Sequence, residues 1–221
     1  MVFLHGYLSC KESFYHQINE FSKCGFKCIA PDLPAFGASD KLDFPWGVEE
    51  YADWLKSFLN CIGERADIIA HSFGARVIIY ALAEDNSLCN RLIITGGAGL
   101  VKPRSLQYIR QVNRYRRLKK LFPKFAERHF GSEEYKSLSP LMKESYKKIV
   151  NRDLKAEAER VNNKTLLIYG QDDTTTPPDE EGATFEKLMK NARLVKIKGD
   201  HFCFVNYPQE FNALAIEFLK E

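Results

Sequence analysis

Ile68-Ile69-Ala70-His71-Ser72-Phe73-Gly74 is the stretch whose reading decides the fold. A run of β-branched residues feeds a serine that has a small residue two places before it and a glycine two places after. A helix-like segment, 73–84, follows directly. A sharp turn from strand to helix at this point lifts the serine hydroxyl above the edge of a sheet. The turn holds the serine in a strained backbone conformation, so its neighbours at minus two and plus two must be small. On this reading Ser72 is a covalent nucleophile.

On both sides of this stretch, short apolar runs alternate with helical patterns. Strands are expected at Val2–Leu4, Lys27–Ala30, Ala66–Ala70, Arg91–Thr95, Thr165–Tyr169 and Arg193–Ile197, and helices near 12–24, 48–61, 73–84, 181–190 and 207–220. In the second helix Val48, Tyr51, Ala52, Leu55, Phe58 and Leu59 recur at helical spacing, which marks one buried face. Near-continuous apolar strands alternating with helices imply an α/β fold, a mostly parallel sheet with helices on both faces. The segment 101–160 breaks the rhythm and reads as a helical, polar insertion capping the sheet. The expected organisation is therefore a core of 1–100 and 161–221 with a helical cap at 101–160.

Composition narrows the function classes. Hydrophobic residues make up 45% of the 221, enough for a sizeable core. A net charge of +3 is too small to imply a nucleic-acid partner. No apolar run has the length of a membrane span. Cys10, Cys24, Cys28, Cys61, Cys89 and Cys203 show neither paired CxxC spacing nor a zinc-type cluster, so free thiols in a reducing cytoplasm are expected. From Lys102 to Arg128 the cap carries ten Lys or Arg residues and one acid, Glu127. Three readings of that run stand. One is a solvated helix face; the second is that Arg110, Arg114 or Arg117 draws an anionic substrate toward the site. The third, contact with a membrane surface or nucleic acid, is the weakest, because no aromatic stacking pattern or nucleic-acid motif accompanies the charge.

A serine hydroxyl needs a base beside it, and the base needs an orienting carboxylate. Gly170-Gln171-Asp172-Asp173 follows the strand Thr165–Tyr169, and Gly199-Asp200-His201-Phe202 follows the strand Arg193–Ile197. Both segments fall at the C-terminal ends of strands, where open parallel sheets bind ligands. Ser72 lies at the end of a third strand, so three distant segments converge on one edge.

The chain resembles the α/β-hydrolase superfamily, in its branch of small esterase-like enzymes with a helical cap. The resemblance runs nearly end to end. It rests on His5-Gly6, on Pro31-Asp32 through Phe36-Gly37-Ala38-Ser39, on Ala70-His71-Ser72-Phe73-Gly74 as the nucleophile elbow, on Gly170-Gln171-Asp172-Asp173 followed by Pro177, and on Gly199-Asp200-His201-Phe202. It implies Ser72 as nucleophile, His201 as general base and then acid, and Asp173 as the orienting acid. It implies an oxyanion hole made by the backbone N–H groups of Tyr7 and Phe73. His5 is expected to brace the oxyanion loop, and Cys203 to be a buried inert thiol. Phe36, Trp46, Tyr108 and Arg110 are candidates for substrate binding, with core packing the alternative account of the aromatic ones. No metal or organic cofactor is implied.

Two departures from the family stand out. Ala70 occupies a position where glycine is more usual. The family also has two strands before the one ending in His-Gly, and here Val2–Leu4 is already that strand. Lys27–Ala30 is then expected to be an exposed sheet edge, open to pairing with a second copy of the chain. The expected function is hydrolysis of a small ester or related acyl substrate through an acyl-enzyme. The alternatives are carbon–carbon bond hydrolysis or a lyase reaction on an anionic substrate, and a non-catalytic small-molecule receptor.

Overall fold

The structure, a computed structural model, describes residues 1–101, 110, 113–114 and 133–221. Its centre is a sheet of five parallel strands in the order β1 (Val2–Leu4), β2 (Ala66–His71), β3 (Cys89–Thr95), β4 (Lys164–Gly170) and β5 (Ala192–Ile197). Leu4 pairs with Ala70, Ala70 with Ile94, Ile94 with Leu167 and Leu167 with Leu194. This register brings the C-terminal ends of the strands to one edge, as the sequence reading requires.

Apolar residues on successive strand positions supply two faces, because side chains alternate along a strand. Val2, Leu4, Ile68, Ala70, Leu92, Ile94, Leu167 and Tyr169 pack with α2 (Val48–Ile62), α3 (Phe73–Glu84) and α7 (Ala183–Leu188). Phe3, Ile69, Ile93, Leu166 and Ile168 pack with α1 (Tyr15–Lys23), α8 (Cys203–Asn206) and α9 (Pro208–Lys220). The α2 face forms as its spacing predicts, with Val48, Tyr51, Ala52, Leu55 and Leu59 buried; Phe58 is half-buried and stacks on Trp54 at 5.3 Å. The Glu50 carboxylate accepts from the Gly47 N–H at 2.6 Å and fixes the helix start.

Lys27–Ala30 does not become a full strand. Only Ile29 bridges β1, donating its N–H to Met1 O and accepting from the Phe3 N–H, both at 2.9 Å. Pro31 follows and has no N–H to extend the ladder. Residues 27–30 are exposed or half-buried, so this edge is not covered by its own chain. The chain leaves β1 toward Ile29 on one side and returns to β2 on the other. That reversal puts α1 on one face and α2 on the opposite face, and it opens a crevice above β1 and β2.

Between β3 and β4 the described helices are α4 (Glu133–Ser137), α5 (Pro140–Asn151) and α6 (Lys155–Ala158). The α5 start is set by Ser139, whose hydroxyl accepts from the Met142 N–H at 3.2 Å, and by Pro140 in the first turn. Among the described residues, no helix is long and apolar enough to cross a membrane.

Candidate active site

Ser72 occupies the tight turn between β2 and α3 with φ 49° and ψ −105°. The left-handed φ of a non-glycine residue is strain held in place by its surroundings. The Ser72 N–H donates to Thr95 O at 3.1 Å, and its carbonyl accepts from Ala75 and Ala98. Gly74 is required here for a packing reason. A Cβ at this position would collide with the Leu4 carbonyl oxygen, so only glycine lets α3 start this close to β1.

Asp173 is buried and lies in the loop after β4. Its Oδ1 accepts from the N–H groups of Thr175 at 2.8 Å and Thr176 at 2.9 Å. Its Oδ2 accepts from Thr176 Oγ1 at 2.8 Å and from the His201 Nδ1–H at 2.8 Å. Burial alone would raise the Asp173 pKa. The bonds from His201 and Thr176 outweigh it and hold the carboxyl below its ordinary range. Asp172, its neighbour, is exposed. The bond to Asp173 fixes His201 as the Nδ1–H tautomer, which leaves Nε2 as a proton acceptor. Ser72 Oγ and His201 Nε2 form no hydrogen bond in this structure, though both residues line the same cavity. Such contacts commonly close only when substrate arrives.

The cavity has a volume of about 500 Å³. Its floor includes Gly6, Tyr7, Ser72, Phe73, Thr176 and His201, and its roof includes Tyr135, Leu138, Tyr146, Ile149 and Val150 from the cap. Phe73 opens α3, so its N–H is one of the donors that a helix start leaves without an intrahelical partner. Tyr7 stands on the loop after β1, its ring 5.6 Å from Phe73 and 5.3 Å from Tyr146. His5 is fully buried, donates Nδ1–H to Gly6 O at 2.8 Å and accepts the Leu33 N–H at 2.9 Å. It therefore braces the loop that presents Tyr7. Burial pushes the Cys203 thiol up to about 11, as expected of an inert cysteine.

Phe36 and Trp46 do not line the cavity. Phe36 is buried behind it, edge-on to Tyr7 at 5.0 Å and Phe73 at 6.1 Å, and so supports residues of the site from the core. Trp46 packs edge-on against Tyr51 at 5.1 Å, drawn there because its apolar ring completes the core beside α2. Arg110 and Arg114 are exposed, while Tyr108 and Arg117 lie outside the described residues.

Four wall residues, Thr176, His71, Arg76 and Glu181, have contacts that the sequence reading did not assign. Thr176 supports both Asp173 and His201, its Oγ1 lying 3.2 Å from His201 Nδ1. The signal was the threonine three places after the acid, a common turn pattern. His71 is 2% exposed, and its Nε2–H donates to the His201 carbonyl at 3.1 Å, tying the elbow to the histidine loop. Burial holds the His71 pKa down to about 3, so it stays neutral beside His201. Arg76 and Glu181 bring buried charge to the wall, with no sequence pattern to announce it.

The alpha/beta hydrolase fold family profile matches residues 1–144. The chain belongs to this family. It is 25% identical over 246 residues to the AB hydrolase superfamily protein YisY of Bacillus subtilis, an alignment covering 99% of this chain and 90% of that protein. It is 24% identical over 237 residues to the 2-hydroxy-6-oxo-6-phenylhexa-2,4-dienoate hydrolase of Comamonas testosteroni, covering 95% and 82%. The crystal structure of a bromoperoxidase from Bacillus anthracis shares the fold with a TM-score of 0.81 at 19% identity, covering 100% of this chain and 91% of that one. The α/β-hydrolase fold thus accounts for the elbow at Ser72, the loop of Asp173 and the loop of His201 as three strand-end features on one edge.

Proposed function

We propose that this α/β-hydrolase-fold protein hydrolyses a small ester or related acyl compound through an acyl-enzyme on Ser72. The observation that carries the reading is the 2.8 Å bond from His201 Nδ1 to the buried Asp173, on a cavity that also holds Ser72. Ser72 Oγ attacks the carbonyl carbon while His201 Nε2 takes its proton. Asp173 holds the ring in this tautomer and stabilises the imidazolium that forms. The N–H groups of Tyr7 and Phe73 hold the oxyanion, such a donor contributing about 3–4 kcal/mol. His201 returns the proton to the departing alkoxide. Water, deprotonated by His201, then attacks the acyl-enzyme, and the acid leaves as Ser72 regains its proton.

Turnover of short-chain p-nitrophenyl esters tests this. Ser72→Ala should lose about 10⁴-fold or more in kcat; equal rates in variant and wild type would rule the mechanism out. Labelling by a fluorophosphonate separates the enzyme reading from a non-catalytic receptor, because a receptor with a dead site does not react. A second reading, carbon–carbon bond cleavage in an anionic substrate by the same residues, is supported by the likeness to the Comamonas hydrolase. Unpaired thiols at all six cysteines support a cytoplasmic location.

A further inference from the structure

The cavity contains a cation that the proposed chemistry does not use. Arg76 on α3 lines the cavity together with Ser72, although only 8% of its surface is exposed. It follows the nucleophile by four residues, which places it about one helical turn, roughly 5–6 Å, along α3.

Its Nη1 donates to the carbonyl of Ile149 at 3.1 Å and to that of Arg152 at 2.9 Å. These bonds satisfy carbonyls at the end of α5 and fix the plane of the guanidinium. A guanidinium carries five N–H donors, and two are committed in this way. The Nε–H and the Nη2 pair have no hydrogen-bond partner among the described residues, and Arg76 forms no ion pair there. Glu181, Tyr146 and Asp153 act on Arg76 through space. Burial holds the Arg76 pKa below that of a free guanidinium, yet the group stays charged. A planar cation with uncommitted donors on a cavity wall is suited to an anionic group. The unused Nε–Nη2 edge has the planar fork geometry that matches a carboxylate.

We propose that Arg76 receives a substrate carboxylate, bidentate on its Nε–Nη2 edge, so that the substrates are acyl compounds bearing a second, free carboxylate. The proposal rests on Ser72 as nucleophile and names the substrate class of that site. Half-esters of short dicarboxylic acids are the simplest members of the class. A carbon–carbon substrate with a terminal carboxylate would engage the same edge.

The test uses two substrates of matched length, the mono-p-nitrophenyl ester of glutaric acid and p-nitrophenyl pentanoate. Wild type should favour the first in kcat/KM, and Arg76→Met should lower that preference by about 10- to 100-fold, the worth of hydrogen bonds to a charged group. Arg76→Lys should recover part of the preference, because the point charge remains. If Arg76 only holds the cap, both substrates decline together, the ratio stays fixed and the proposal is overturned. A measurement on wild type alone covers the case of a variant that does not fold. Butyrate should inhibit pentanoate ester turnover at least about tenfold more strongly than butyramide, and equal inhibition overturns the proposal. Fluorophosphonate labelling distinguishes the two levels of failure. Labelled Ser72 without carboxylate preference refutes the role of Arg76 alone, and absence of labelling refutes the nucleophile and this inference with it.

Discussion

The floor and the roof of the cavity are held by different kinds of contact. On the floor, strand ends are locked to one another through backbone. Ser72 N–H donates to Thr95 O, the elbow helix starts against the Leu4 carbonyl at Gly74, and His71 donates to the His201 carbonyl. Asp173 accepts four hydrogen bonds, three of them from its own loop. The roof is tied down by scattered side chains. Tyr7 OH donates to Met142 O at 3.4 Å, Lys148 Nζ to Pro45 O at 2.7 Å, Arg76 to the end of α5, and Trp46 N–H to Ser145 Oγ at 2.9 Å. A floor of this kind cannot shift without moving the sheet. A roof of this kind can change residue by residue. Rigid strand ends under a more adjustable layer are an arrangement in which one fold can carry different sites.

The contrast breaks most directly at Asp173. Asp173→Asn keeps the shape but cannot hold the Nδ1–H tautomer, so kcat should fall about 10⁴-fold with little change in KM. A loss confined to KM, read from steady-state kinetics, would place Asp173 outside the chemistry. Gly74→Ala tests the floor as structure. Alanine in a helix ordinarily gains about 1 kcal/mol over glycine. Here its Cβ meets the Leu4 carbonyl, which belongs to β1 and cannot yield alone. Overpacking should win, with a net loss of about 3 kcal/mol in urea unfolding. A neutral or stabilised variant would show that α3 is free to move against the sheet.

Asp32 extends the floor beyond Ser72, Asp173 and His201. It is buried and accepts from the Lys11 N–H at 2.8 Å, Lys11 Nζ at 2.7 Å and the Ala38 N–H at 3.0 Å. Burial by itself would raise its pKa; the bonds from Ala38 and Lys11 overcome this and lower it from 3.8 to about 2. The folded pKa lies below the unfolded one, so this group's stabilisation is full above pH 3.8 and is lost as pH falls toward about 2. The amount is about 2 kcal/mol. Urea midpoints measured from pH 5 to pH 2 should show this loss in wild type, and Asp32→Asn should lack it. An equal slope in the two proteins would remove Asp32 from the bracing of the floor.

The same division explains what could be read from the sequence. The floor is made of strands, a turn and strand-end loops, and each leaves a local trace: β-branched runs, a small-x-Ser-x-Gly spacing, Gly-x-x-Asp and Asp-His after the last two strands. The five strands and the convergence of Ser72, Asp173 and His201 on one edge were legible for that reason. Lys27–Ala30 read as a strand because apolarity does not reveal how far a ladder extends; its neighbour and Pro31 decide that. Phe36 and Trp46 looked like pocket residues because an aromatic signal is the same whether a ring faces a cavity or the core behind it. Arg76 left no trace at all. An arginine four places along a helix reads as surface until the cap closes over it, and that packing is tertiary.

The smallest expected effect belongs to the roof and decides whether the comparison holds. Ser145 is buried on α5 and its hydroxyl accepts the Trp46 N–H at 2.9 Å, joining the cap to the segment that leads into α2. Ser145→Ala removes that acceptor and leaves the volume nearly unchanged. The cost to stability should be about 1 kcal/mol, the usual worth of one such bond. Because the bond touches neither Ser72, His201 nor Asp173, kcat on a neutral ester should stay within about twofold while KM rises, as loss of uniform binding predicts. A fall in kcat with KM unchanged would mean that the roof helps to set the geometry of the floor, and the two regions would then have to be treated as one unit.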